Sequence, residues 1–213
     1  MRIPQADSAE RHKILEYSRK RFHKEGFYKT SMDELSRGLG ISKKTIYKHF
    51  QSKDNLVEQI CANTSKLISC TIDDIVDADT DVVVKFVKIL NMYSSFTMNI
   101  SGKWLRDLRK HSPGEAAKID ERRRARTNDI LKKLIQQGKR EKLIENYSTP
   151  IIINTFTATI GSIMNPEFLL RNKLSVHQAF KESYNFLLNG MLTESGKKKL
   201  KSTKALLANE IEI

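Results

Sequence analysis

Apolar residues recur at three- and four-residue steps along nearly the whole of this chain, and that period belongs to α-helix. No stretch alternates apolar with polar residues for long enough to suggest a half-buried strand. The 213 residues include only 4 prolines and 9 glycines, so the periodic runs are seldom interrupted. No internal repeat or long linker divides them. An all-α protein follows, and the length is enough to bury a substantial core.

The punctuation is densest near the N-terminus. A first helix is expected from Ser8 to Gly26, with Ile14, Leu15, Ser18 and Phe22 on one face and Gly26 closing it in a left-handed conformation. Ser31-Met32-Asp33-Glu34 has the spacing of a capping box, and Met32, Leu35 and Leu39 supply the buried stripe of a second helix. Ser42 caps a short third helix, with Ile41 and Ile46 at hydrophobic-staple spacing. Ser52 caps a fourth, expected to reach Ile72. Between the second and third helices Leu39-Gly40-Ile41 forms a tight corner, where Gly40 suits the sharp turn.

The third helix has two unlike faces. Ile46 and Phe50 point inward, whereas Lys44 and Lys48 lie on the opposite side with Thr45 and Tyr47 flanking them. Five cations (Arg37, Lys43, Lys44, Lys48, Lys53) and no carboxylate lie between Arg37 and Lys53. Cations, a hydroxyl and an aromatic on a short rigid helix suit the major groove of double-stranded DNA. There Lys reaches guanine edges or phosphates, and Thr meets a thymine methyl. The formal net charge of +13 points the same way, although solubility alone also accounts for part of such an excess.

These residues resemble the TetR/AcrR family of one-component transcription regulators. The resemblance runs through Ile14-Leu15, Phe22, Gly26-Phe27, Thr30-Ser31-Met32, Leu35-Ser36 and Gly40-Ile41-Ser42-Lys43. It continues through Thr45-Ile46-Tyr47-Lys48-His49-Phe50 and Ser52-Lys53-Asp54-Asn55-Leu56. The spacing of Tyr47, Phe50 and Lys53 is its most specific part. It implies a helix-turn-helix DNA-binding domain at 8–68, with the helix-turn-helix itself at 31–50, and a helical regulatory and dimerisation domain at 69–213. It also implies that Tyr47 and Lys53 hold phosphates, that Thr30 or Ser31 opens the supporting helix against the DNA backbone, and that Lys43, Lys44, Thr45 and Lys48 face the groove; His49 falls within the same run. Ser18 and Ser36 stand where the family often has alanine, and Lys44 where it often has glycine. The last departure leaves the base preference open.

The remainder has no comparable motif. Helices are expected near 82–100, 102–110, 114–139, 148–164 and 175–193, with Asp73–Asp81 as a solvated connection and, from Gly196, a lysine-rich segment that fits either a frayed tail or a short docking helix. Residues 148–164 are uncharged, with Thr157, Ala158, Gly161 and Ser162 small enough for close approach. In 175–193, Val176, Phe180, Ser183, Leu187 and Met191 form a stripe. Two such helices from each of two copies would make a four-helix homodimer interface, though both also suit the core of one chain. Phe86, Met92, Phe96, Met98 and Trp104 form an aromatic- and methionine-rich set that fits plain core or a cavity for a largely apolar small molecule. The basic stretch 103–142 suits an anionic partner or a solvated face.

Other classes find little support. The five histidines are scattered, and neither a nucleophile–base motif nor a phosphate-cradling glycine loop is present, so neither an enzyme nor a cofactor is expected. Cys61 and Cys70 have no metal-ligand or disulfide spacing, which suits a reducing cytosol, and the family resemblance implies the cytoplasm of a bacterium. Asn146–Pro166 carries no charge, yet its asparagines, threonines and serine make it too polar to span a membrane. The N-terminus, Met1-Arg2-Ile3-Pro4-Gln5, has no apolar signal stretch. The best-supported expectation is a ligand-responsive repressor of a palindromic operator. A constitutive helical DNA-binding or architectural protein is the alternative.

Overall fold

The computed structural model describes residues 5–209; the opening residues 1–4 and the tail residues 210–213 lie outside it. Among the described residues the protein is all-α, with eleven helices and no strand. These are α1 (Gln5–Glu25), α2 (Met32–Leu39), α3 (Lys43–His49), α4 (Lys53–Asp77), α5 (Val82–Thr97), α6 (Gly102–His111), α7 (Pro113–Arg140), α8 (Thr149–Ile163), α9 (Pro166–Arg171), α10 (Val176–Met191) and α11 (Glu194–Asn209). No described helix is long and apolar enough to cross a membrane.

Two boundaries depart from the sequence reading. α4 runs past Ile72 to Asp77, so the aspartate run is partly the end of a helix. Its last member, Asp81, caps α5 by accepting the Val83 and Val84 N–H groups at 3.0 and 3.1 Å. The short α9 was not expected. Asn165 accepts the Glu167 N–H at its start, and Pro166 stands in the first turn, where its missing N–H removes no helical bond.

The described chain divides into two compact units. One takes the chain through Ile68 together with Asn99–Ile119. Its core contains Ile14, Phe22, Phe27, Leu35, Ile46, Phe50, Leu56 and Ile60, all essentially without solvent exposure. α6, which the sequence reading assigns to the larger domain, packs on α1 in this unit. The Trp104 ring lies 4.8 Å from His23 and 5.5 Å from Phe27. Burial pushes the His23 imidazole down to about 4. Cys61 is buried as well, and that burial, helped by Glu115 and Glu58, pushes its thiol up to about 12.

The other unit takes Ser69–Met98 and the described chain from Asp120 onward. α5 packs against α10 and α11, and α10 also packs against α8. Tyr184 lies among Phe156 and Phe180, and its hydroxyl donates to the Phe86 carbonyl at 3.0 Å. Lys85 is buried and donates to the Val76 carbonyl at 2.7 Å and the Gln137 amide oxygen at 2.9 Å, closing the C-terminal end of α4. Gly138 is required by close approach, since a Cβ there would stand 2.5 Å from the Ile144 side chain.

The stripe expected on α10 as interface is largely internal. Val176, Phe180 and Met191 are buried within the chain, because this face of α10 meets α5 and α8. The large apolar residue that α10 leaves exposed is Phe186, at 79%.

Candidate nucleic-acid interface

The corner between α2 and α3 is built from local chemistry. Ser31 accepts the Glu34 N–H at 3.2 Å, while the Glu34 carboxylate accepts the Ser31 N–H at 2.7 Å. That second bond, reinforced by the Ser31 hydroxyl, holds the Glu34 carboxyl below its usual range. Gly40 follows at φ +67°, and its N–H returns to the Arg37 carbonyl. A side chain would be strained in this left-handed position, although it would meet no neighbour within 4 Å. Ser42 then caps α3, accepting the Thr45 N–H at 3.0 Å.

α3 is anchored by Ile46 and by Phe50 just beyond its end, both fully buried. The Arg11 guanidinium lies 5.0 Å over the Phe50 ring. Lys43, Lys44, Tyr47 and Lys48 are exposed on the outer side, with Thr45 and His49 half-buried. The residues expected at the groove therefore share one surface, but not one role. Lys43 is paired with Asp33 of α2 at 2.7 Å, and that hydrogen bond raises its pKa. The Thr45 hydroxyl shares a 2.9 Å hydrogen bond with the Ser42 hydroxyl. His49 has its ring 2.9 Å from Glu10 of α1, and its side chain is almost covered.

Two residues expected at phosphates are turned into the unit. The Thr30 hydroxyl donates to the Gly26 carbonyl at 3.1 Å, and Thr30 is buried. The Lys53 ammonium donates to the Phe27, Tyr28 and Thr30 carbonyls at 3.1, 3.0 and 3.3 Å. An ammonium has three protons, so these bonds engage its full donor capacity. The same α1–α2 connection is gripped by α6. Asp107 accepts the Tyr28 N–H at 2.8 Å, and His111 stacks on the Tyr28 ring at 3.6 Å. Gly26 is at φ +83°, and a Cβ there would stand 2.5 Å from the Asp107 carboxylate. Sequence reasoning missed Glu10, Asp33, Asp107 and His111, whose partners depend on long-range packing.

The residues expected around an effector are dispersed. Phe86 and Trp104 are buried core residues of different units, Met92 and Phe96 are half-buried on α5, and Met98 is 69% exposed. An open cleft of about 400 Å³ instead lies between α7 and α8. Asp120, Arg123 and Arg124 line it from α7, and Asn154, Thr157 and Gly161 from α8. Among the described residues, no group of three His, Cys, Asp or Glu is placed to hold a metal ion.

An all-α chain with a capped helix-turn-helix and a cationic outer face on its second helix is a DNA-binding transcription regulator. Residues 14–60 match the model of the "Bacterial regulatory proteins, tetR family", and over this segment the chain is similar to that family. The uncharacterized HTH-type transcriptional regulator YvaF of Bacillus subtilis (strain 168) is 23% identical over 175 residues, which cover 82% of this chain and 92% of that protein. Its fold is shared with a TetR-family regulator from Agrobacterium tumefaciens: TM-score 0.68, 15% identity, and 88% and 100% of the two chains covered. It is shared too with FadR from Bacillus subtilis, solved in complex with stearoyl-CoA: TM-score 0.61, 13% identity, and 84% and 98% covered.

Proposed function

We propose that this protein is a ligand-responsive repressor that binds a palindromic operator as a homodimer and leaves it when a small molecule binds. The observation that carries DNA reading is the outer face of α3, where Lys44, Tyr47 and Lys48 are exposed together over a helix pinned by Ile46 and Phe50. Residues 8–68 are assigned to DNA binding and 69–213 to regulation and dimerisation. Lys44, Lys48 and Thr45 address the groove, and Lys43, Tyr47 and Ser31 the phosphates. Thr30, His49 and Lys53 act behind them by fixing where α2, α3 and α4 begin or end. The reading assigns no catalytic step and places the protein in the bacterial cytoplasm.

One short helix reads few base pairs, so useful specificity calls for two copies on a two-fold axis. The outer side of α8 exposes Ile151, Thr155, Ala158 and Ser162 at helical spacing, and α10 exposes Phe186; these support the assignment of 148–164 and 175–193 to the dimer. Gly161 has the Arg123 side chain of its own chain as neighbour, 3.7 Å from where a Cβ would stand. Phe186→Ser is expected to weaken the dimer without unfolding the chain, since Phe186 is exposed in one copy. A dimer unchanged by that substitution in sedimentation removes α10 from the interface.

The effector is read as largely apolar, with Met92 and Phe96 on α5 as its nearest support. Stearoyl-CoA bound to the Bacillus subtilis FadR shows that a related fold can take a ligand, and at 13% identity it says nothing of which ligand belongs here. The close packing of Phe86 and Trp104 favours the second reading, a constitutive DNA binder. Selection of bound DNA from a genomic pool, followed by a metabolite screen on the recovered site, separates the two. A recovered palindrome released by a compound supports the repressor. Binding that no compound changes supports the constitutive protein, and a folded Tyr47→Ala, Lys48→Ala double variant with normal operator affinity removes α3 from DNA reading.

A further inference from the structure

The arginine run of α7 does not present a uniform solvated face. Arg122 and Arg124 are exposed, whereas Arg123 and Arg126 are half-buried. Three residues apart on one helix, the last two share a side. Both guanidiniums also lie near enough to Tyr93 of α5 to pull the pKa of its phenol down against the upward push of burial. Two cations thus share one side of α7, within electrostatic range of a phenol on α5.

Each arginine has a carboxylate partner that water also reaches. Arg123 donates to Asp120 at 3.1 Å, with the Asp120 side chain 41% exposed. Arg126 donates through Nη2 to Asp73 on α4, whose side chain is 53% exposed. Such solvent-screened pairs are weak and exchange easily. Arg126 also has a buried Nε–H with no partner among the described residues. A guanidinium offers two parallel donors to a carboxylate or phosphate, so this arginine is under-used as it stands. Arg123 meanwhile borders the α7–α8 cleft, whose volume of about 400 Å³ suits a small molecule rather than a polymer.

We propose that Arg123 and Arg126 form a binding site for an oxyanion, a carboxylate or phosphate carried by a small molecule, and that Asp73 is the group it displaces from Arg126. The remainder of that molecule extends into the α7–α8 cleft that Arg123 borders. Displacement frees the C-terminal half of α4 from α7, and this regulatory consequence rests on the ligand-control reading above. Asp73 is a positioning residue in the scheme: it holds Arg126 on α4 while the site is empty.

Calorimetric titration of the full chain with octanoate, octyl phosphate and octanol tests the site, because the three share a tail and differ in the head group. The two anions, or one of them, bind and octanol does not; the tighter anion identifies the source. Arg123→Gln and Arg126→Gln each weaken the anion by about tenfold or more, as expected for loss of a charge-assisted hydrogen bond. Asp73→Asn tightens it, because the competitor is gone. A merely structural Asp73 would not do so. Thermal melts confirm that each variant is folded, and Arg126→Lys, which keeps the charge, retains part of the affinity. Equal binding of octanol and octanoate overturns the site, as do binding of none of the three, indifference to both arginine substitutions, or no gain in Asp73→Asn. Operator binding measured alongside keeps the two readings apart. Anion binding that leaves operator affinity unchanged retains the site and rejects ligand control, whereas operator release by octanol as well as octanoate does the reverse.

Discussion

The helix-turn-helix and the second unit use the same materials, serine and aspartate caps, apolar stripes and a few well-placed cations, but over different distances along the chain. In the helix-turn-helix the defining polar contacts span three residues: Ser31 with Glu34, and Ser42 with Thr45. In the second unit they span 52 residues from Lys85 to Gln137, 59 from Val82 to Glu141 and 98 from Tyr184 to Phe86. Local contacts order a corner at small entropic expense, whereas distant ones form only once the helices have packed. The first arrangement makes a rigid reading head. The second makes a body whose geometry depends on every helix in it, a suitable place for a site that can change state.

The largest test of this contrast compares two phenylalanines of equal burial. Phe50 behind α3 and Phe86 on α5 are exposed by 0% and 1%. Truncating a buried phenylalanine to alanine usually lowers stability by about 3–5 kcal/mol, so both variants should show large drops in urea unfolding. A small loss at Phe86 alone would mean that it borders an adaptable cavity, and would support an effector site beside Met92 and Phe96 on α5.

His23 sharpens the picture of the first unit. Its folded pKa is about 4 against 6.5 in an unfolded chain, so the unfolded state takes up the proton first as pH falls. Its contribution is intact above pH 6.5 and declines between 6.5 and about 4, by about 3 kcal/mol in all. The carboxyl of Glu16, held down by its hydrogen bond from Arg19, loses its contribution only below 4.5. Unfolding midpoints at pH 7 and pH 5 should therefore differ in the native chain and converge in His23→Leu. A slope that survives the substitution assigns the acid sensitivity to another group.

How far the fold could be read from the sequence follows the same division by distance. Caps, the Gly26 and Gly40 turns, the inward Ile46 and Phe50 and the outward Lys44 and Lys48 all follow from neighbours a few residues away. What escaped was set by approach of distant elements. Glu10 reaches His49 from 39 residues away, and Asp107 reaches Tyr28 from 79. α10 illustrates the limit: its apolar stripe was visible, but not that α5 and α8 would cover it and leave Phe186 outside. Lys53 sits in a family motif that implies phosphate contact, yet it stands close enough to three carbonyls of the α1–α2 connection to bond them all.

Two lysines turn that last difference into a measurement. Lys48→Ala should alter base preference at one operator position by about 1–3 kcal/mol. Lys53→Ala should weaken all sequences alike by loosening the α1–α2 connection, with the salt dependence unchanged. Each phosphate contact adds about 0.9 to the slope of log affinity against log salt. A slope reduced by about that much in Lys53→Ala would show that Lys53 leaves its carbonyls for a phosphate when DNA binds.

The smallest effect belongs to the Lys43–Asp33 pair. Both side chains are about half exposed, so the 2.7 Å ion pair adds little to stability. Its consequence for DNA is larger than its consequence for the fold. While Asp33 holds Lys43, one of the five cations near the groove is neutralised, and a phosphate must compete with a carboxylate for it. Asp33→Ala should leave the melting temperature nearly unchanged, because the α2 cap depends on Ser31 and Glu34. Operator and non-operator DNA should both bind slightly tighter, by less than about fivefold given the weakness of exposed pairs. The salt slope should steepen by close to one contact. Tighter binding confined to the operator would mean that Lys43 reads a base edge instead. An unchanged slope would mean that Lys43 does not reach DNA, leaving Lys44, Tyr47 and Lys48 to define the reading face of α3.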